Sequence, residues 1–136
     1  MSALSQKLHT ARQWLDAIGE RIEAGAAGTA DRKAAAVSLF AEAFDAVWQV
    51  GKELIYRHLG TKTLRVEDAI RELFLSGCFS EEQNRAALHM LEARKQIRMD
   101  RHPDTIEQIY PQLPMYRIQL EQWLNRMEAH LVKNLA

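Results

Sequence analysis

The chain has 136 residues, with 18 Lys and Arg against 18 Asp and Glu and a formal net charge of zero. That length fits one domain of ordinary size, able to bury roughly two-thirds of its unfolded surface without a metal or disulfides. A single cysteine excludes an internal disulfide framework and a four-cysteine zinc cluster, which suits a reducing cytosol. Balanced charge argues against a protein that coats nucleic acid generally, though it leaves room for a local basic patch. No apolar run approaches the ~18 residues of a membrane span, and the N-terminus lacks a signal-peptide apolar stretch. The expectation is one cytoplasmic domain over residues 1–136.

In chain order, Leu4, Leu8, Ala11, Leu15, Ile18 and Ile22 recur at steps of four and three, the stripe of an amphipathic helix. A short loop around Gly25–Thr29 follows. A second helix is predicted from near Asp31 to Leu59, with Val37, Phe40, Phe44, Val47, Trp48, Leu54 or Ile55, and Leu59 on its core face. Gly60 ends it. A third, shorter helix spans Val66–Leu75 and stops at Gly77. Ser80-Glu-Glu-Gln83 then has the form of a capping box, opening a fourth helix over Glu81–Met99. Pro103 disfavours helical geometry at His102 and sets a boundary there. The last helix, opened by Pro103 or Asp104, carries Ile106, Ile109, Leu113, Leu120, Trp123, Leu124, Met127 and Leu131. Pro111 and Pro114 lie within it and predict a kink or break around 109–114. No alternating strand pattern appears. The fold class is therefore all-α, an antiparallel up-and-down bundle of four to five helices.

Three blocks then resemble one family. Phe40-Ala-Glu-Ala-Phe44-Asp45-Ala-Val-Trp48-Gln49, with Lys52-Glu53-Leu54 and Gly60 after it, is similar to the second helix of nucleotidyltransferase substrate-binding proteins, a branch of the HEPN superfamily. Val66-Glu-Asp-Ala-Ile70-Arg71-Glu72-Leu-Phe74-Leu-Ser-Gly77 resembles that family's third helix. Met90-Leu91-Glu92-Ala93-Arg94 and Thr105-Ile-Glu-Gln-Ile109-Tyr110 look like its arginine motif and the segment following it. The blocks keep the family's order and spacing over roughly residues 35–130.

The resemblance implies a helical homodimer paired with a minimal nucleotidyltransferase, in some relatives a toxin–antitoxin pair. It also implies an Arg-x(4–6)-His site that some relatives use to cleave RNA. Metal-free cleavage needs a proton acceptor for the 2′-hydroxyl, met by histidine, and positive charge beside the phosphate, met by arginine. Here Arg94 takes the arginine position and Lys95 that of the neighbouring asparagine, but Met99 stands at the histidine and Arg101 at the motif tyrosine. Methionine moves no proton, so the centre reads as degenerate. His102 is the candidate substitute, but seven residues lie between it and Arg94, one more than the motif allows, and three between it and Arg98, one fewer. Arg94, Arg98 and His102 are thus the catalytic candidates. Arg94, Lys95, Arg98 and Arg101, opposed in sequence by Asp100 alone, form a candidate nucleotide- or phosphate-binding patch. A solvated helix end that complements the helix dipole is the alternative reading of the same run.

The expected function is a non-catalytic substrate-binding partner of a nucleotidyltransferase, contacting nucleotide or RNA, with no membrane and no cofactor. A HEPN ribonuclease toxin using Arg94 or Arg98 with His102, and a helical interaction module, are the alternatives. In the family the partner can add nucleotides to the motif tyrosine; Arg101 stands there in this chain, and neither Tyr110 nor Tyr116 matches the position, so the resemblance does not carry that control over. Arg85 and His89 share a helix face, but nothing in the resemblance assigns them to the site. Trp48 and Trp123 read as core, Trp14 as a dimer or partner surface, and Cys78 as a small buried side chain. The five histidines show no metal-ligand spacing, and no Walker-type loop is present.

Overall fold

The computed structural model describes residues 3–24, 29–100 and 102–132. Residues 25–28 of the predicted Gly25–Thr29 loop and the side chain of Leu131 therefore lie outside the described residues. Six α-helices follow in order: α1 Ala3–Ala24, α2 Ala30–Leu59, α3 Val66–Leu75, α4 Glu81–Met99, α5 Pro103–Ile109 and α6 Leu113–Met127. A single 3-10 turn at Tyr110–Gln112 separates α5 from α6, and a π turn, Glu128–Val132, closes the described chain. The break at 110–112 falls where Pro111 and Pro114 each remove a backbone donor.

Local chemistry sets the helix ends. Thr29 Oγ1 accepts the Arg32 N–H at 3.3 Å and caps α2. Gly60, at φ 72°, closes it in the left-handed region, its N–H bonded to the Tyr56 carbonyl. The capping box of α4 is complete: Ser80 Oγ accepts the Gln83 N–H at 3.1 Å and Gln83 Oε1 accepts the Ser80 N–H at 2.9 Å. Between α3 and α4, Gly77 turns the chain at φ 84°.

Cross-helix contacts give the topology. Lys7 on α1 meets Glu53 on α2, and Arg94 and Arg98 on α4 meet Asp45 and Glu42 on α2. Both pairs of helices are thus antiparallel. Phe40 stacks on Tyr116 and Phe44 meets Trp123 edge-on, so α2 and α6 run parallel. The chain therefore runs up, down, up, down through α1, α2, α4 and α6. Helix α3 packs between α2 and α4.

The core centres on α2 and α6. Phe40, Phe44, Tyr116 and Trp123 are almost wholly buried, with Phe79 closing against Trp123 at a ring separation of 5.4 Å. Trp48 and Trp123 are core residues, as expected. Trp14, expected at a partner surface, is partly buried and packs on this core. Leu59, expected in the core, is 45% exposed, and the rest of the last turn of α2 from Tyr56 is exposed with it. Cys78 is fully buried. Arg12 on α1 ties to Asn125 on α6 at 2.9 Å and to Glu128 beyond it.

Candidate functional site

The sequence candidates lie on the last two turns of α4 and the joint into α5. Arg94 and Arg98, four residues apart, lie on one ridge of α4, and α2 presents acids against that ridge. Arg94 Nε donates to Asp45 Oδ1 at 2.9 Å. Arg98 Nη2 donates to Asp45 Oδ2 at 2.8 Å and to Glu42 Oε1 at 3.1 Å. One carboxylate thus bridges two guanidinium groups, with Arg94 and Asp45 each only about a quarter exposed. The Asp45 hydrogen bond, supported by Glu42, holds the Arg98 guanidinium charged beyond the ordinary arginine range.

Lys95 is neutralised in the same way. Its Nζ lies 3.4 Å from Glu67 Oε2, at the start of α3, and 3.8 Å from Glu92. Glu67 also accepts from Arg65 at 2.7 Å. Its carboxyl titrates below the usual carboxylate range, chiefly through a hydrogen bond from its own backbone N–H and then through Arg65 and Lys95. The positive excess read along α4 is therefore balanced in space by Glu42, Asp45, Glu67 and Glu92. Those acids are 28 or more residues from their partners in three of the four cases, too far apart for a linear reading to pair them.

Met99, at the position of the motif histidine, is 86% exposed. Asp100 leaves the helix in an extended conformation and accepts the His102 N–H at 2.9 Å. His102 is the N-cap of α5: its Nδ1 accepts the Asp104 N–H at 3.2 Å, beside the Asp104 carboxylate at 3.5 Å. That bond occupies the Nδ1 lone pair, and its backbone is not helical. Arg101 lies outside the described residues.

The two tyrosines near the motif part company. Tyr110 is half-buried under the Lys33 ammonium, 5.6 Å from the ring centre. Tyr116 is buried, its hydroxyl donating to Gln112 at 3.0 Å and meeting His89 Nδ1 at 3.3 Å. Burial pushes its phenol above the ordinary tyrosine range. Arg85 pairs with Glu81 at 3.2 Å, whereas His89 meets Tyr116. Among the described residues no group of three His, Cys, Asp or Glu side chains is placed to hold a metal, and no helix is long and apolar enough to cross a membrane.

Chemically, this face offers two guanidinium groups held over one carboxylate, with Met99 and not an imidazole at the motif histidine position. It can present fixed donors to an acceptor that approaches from solvent. It also brings the three sequence blocks into contact, since Asp45 belongs to the first, Glu67 to the second and Arg94 to the third.

No protein-family model matches the chain, and no curated protein matches it. Among solved structures, a crystal structure of a protein from Thermus thermophilus superposes with a TM-score of 0.76, covering 86% of this chain and 98% of that one at 24% identity. At that identity the likeness carries the helical bundle and nothing finer.

Proposed function

We propose that the chain is a non-catalytic, HEPN-like binding subunit that pairs with a minimal nucleotidyltransferase and receives or presents its substrate. The observation that carries this reading is the Asp45 bridge between Arg94 and Arg98, with an exposed methionine at the motif histidine. Arginines tied in this way orient a polar surface, and the histidine that the motif uses as its base is replaced by methionine. The engagement of His102 as a helix cap supports the same reading. A homodimer would set two such faces side by side and enlarge the donor surface for a nucleotide or RNA.

The test is co-expression with a minimal nucleotidyltransferase encoded beside this gene, followed by affinity capture and an RNA cleavage assay. The expected result is a stable complex and no cleavage by this chain alone. Cleavage that disappears in His102→Ala would establish the ribonuclease alternative instead. Failure to bind any such partner, with no dimer in solution, would leave a simple interaction module.

A further inference from the structure

A second polar site lies further along the same face of α2. Asp45, Gln49, Lys52 and Tyr56 recur at steps of four, three and four, so they share one side of the helix. Beyond Asp45 this face forms, with the segment entering α3, a pocket of about 250 Å³ lined by Lys7, Lys52, Tyr56, Lys62 and Thr63 among others.

Two independent features distinguish it from an ordinary surface dimple. The first is charge. Lys7, Lys52 and Lys62 converge on the pocket from α1, α2 and the loop after α2, against one lining carboxylate, Glu53. Glu53 is already held by Arg57, whose Nε and Nη2 lie 3.2 and 3.1 Å from Oε1, while Lys7 stands 4.0 Å from Oε2. Lys52 and Lys62 have no carboxylate within ion-pair distance among the described residues. Each instead sits over an aromatic ring, Lys52 at 5.7 Å from Trp48 and Lys62 at 5.9 Å from Tyr56. The second feature is Thr63, the one buried polar residue among those described, at 2% exposure. Thr63 lines this pocket, and its hydroxyl is buried without a hydrogen-bond partner. A buried hydroxyl left unpaired costs on the scale of a lost hydrogen bond, so a partner in the pocket would offset that cost.

We propose that this pocket binds a small phosphomonoester. Three ammonium groups act as compact point charges suited to a tetrahedral dianion, whereas planar carboxylate recognition favours the arginine fork. The Thr63 hydroxyl completes the oxyanion contacts as a neutral donor. At about 250 Å³ the pocket holds more than a bare phosphate, since a water's share of liquid volume is roughly 30 Å³. The exposed ring of Tyr56 and the side chain of Leu64 offer an apolar edge for the organic part of the ester. This assignment does not depend on a nucleotidyltransferase partner, and the isolated chain suffices to test it.

The experiment is titration of the labelled protein with inorganic phosphate, ribose 5-phosphate, AMP and adenosine, followed by NMR of the Lys and Thr63 signals and by calorimetry. The three phosphate-bearing probes are expected to shift Lys52, Lys62 and Thr63, the esters more tightly than inorganic phosphate, and adenosine not to bind. Lys52→Gln combined with Lys62→Gln should weaken AMP at least tenfold, and added salt should weaken it further. Thr63→Val should weaken it about tenfold while leaving the thermal midpoint unchanged or raised, which a purely structural threonine would not do. Arg85→Gln, a cation elsewhere on the surface, should change nothing. Adenosine binding as well as AMP, inorganic phosphate binding as tightly as the esters, or full affinity in the double lysine variant would each overturn the proposal.

Discussion

Asp45 is the residue on which the candidate face turns, because one carboxylate is shared by two arginines from another helix. Such a partly buried bridge gains more than an exposed ion pair, though it still gives up part of its attraction to desolvation. A double-mutant cycle combining Asp45→Asn with Arg94→Gln is expected to give a coupling of about 1 kcal/mol in urea unfolding. A coupling near zero would mean that the bridge only decorates the surface.

A second residue-scale prediction concerns pH. Burial pushes the Cys78 thiol from 9.0 up to about 11, against a smaller opposing pull from Arg126, and burial also raises the Tyr116 phenol. In the unfolded chain both groups release their protons earlier. The folded state therefore binds more protons above pH 9, and the thiol's contribution to stability is lost progressively from about 9 to about 11. Unfolding midpoints measured across that range should fall, and Cys78→Ala should flatten part of the decline. At pH 8 the native thiol should resist a disulfide reagent that labels the unfolded chain rapidly.

At the scale of single elements, the helix ends are local devices that can be removed one at a time. Ser80→Ala deletes the hydroxyl that satisfies the Gln83 N–H and is expected to cost about 1 kcal/mol, read as a lower urea midpoint with an unchanged slope. Gly77→Ala places a Cβ on a residue at φ 84° and should cost a similar amount by a different route, since the space around it is open and only the backbone is strained. Because the two sites are neighbours, their costs need not add. These same devices explain why the elements could be read from sequence. Val66–Leu75 and Glu81–Met99 are bounded by Gly77, a Ser-x-x-Gln box and Pro103, all of which act through groups within a few residues. Leu59 is exposed despite its apolar spacing, which marks the face a helix would bury and not how far its neighbours extend to cover it.

At the scale of the whole molecule, the aromatic cluster joins the elements. Phe44 on α2 meets Trp123 on α6, and Trp123 meets Phe79 at the turn between α3 and α4. Phe44→Ala should cost ~3–5 kcal/mol, a large share of the ~5–15 kcal/mol typical of a domain. Loss of near-ultraviolet signal at a lower denaturant concentration would register it, and an unchanged midpoint would mean that Phe44 is not central to the core.

By itself the sequence determined the helical class, the helix boundaries, the break at the prolines and most of the buried stripe, because each follows from hydrogen bonding and periodicity within a turn or two. It also marked Arg94, Lys95 and Arg98 as a cationic run. Only the tertiary structure decided what that run is. Packing α4 against α2 and α3 brings Glu42, Asp45 and Glu67 onto it across 28 to 56 residues of chain, and turns an open positive patch into a neutral, oriented network. The same packing left Lys52, Lys62 and Thr63 lining a pocket without such partners among the described residues. Charge falls off over distances that only the folded chain defines, so the sites of excess charge were settled by helix packing and not by composition.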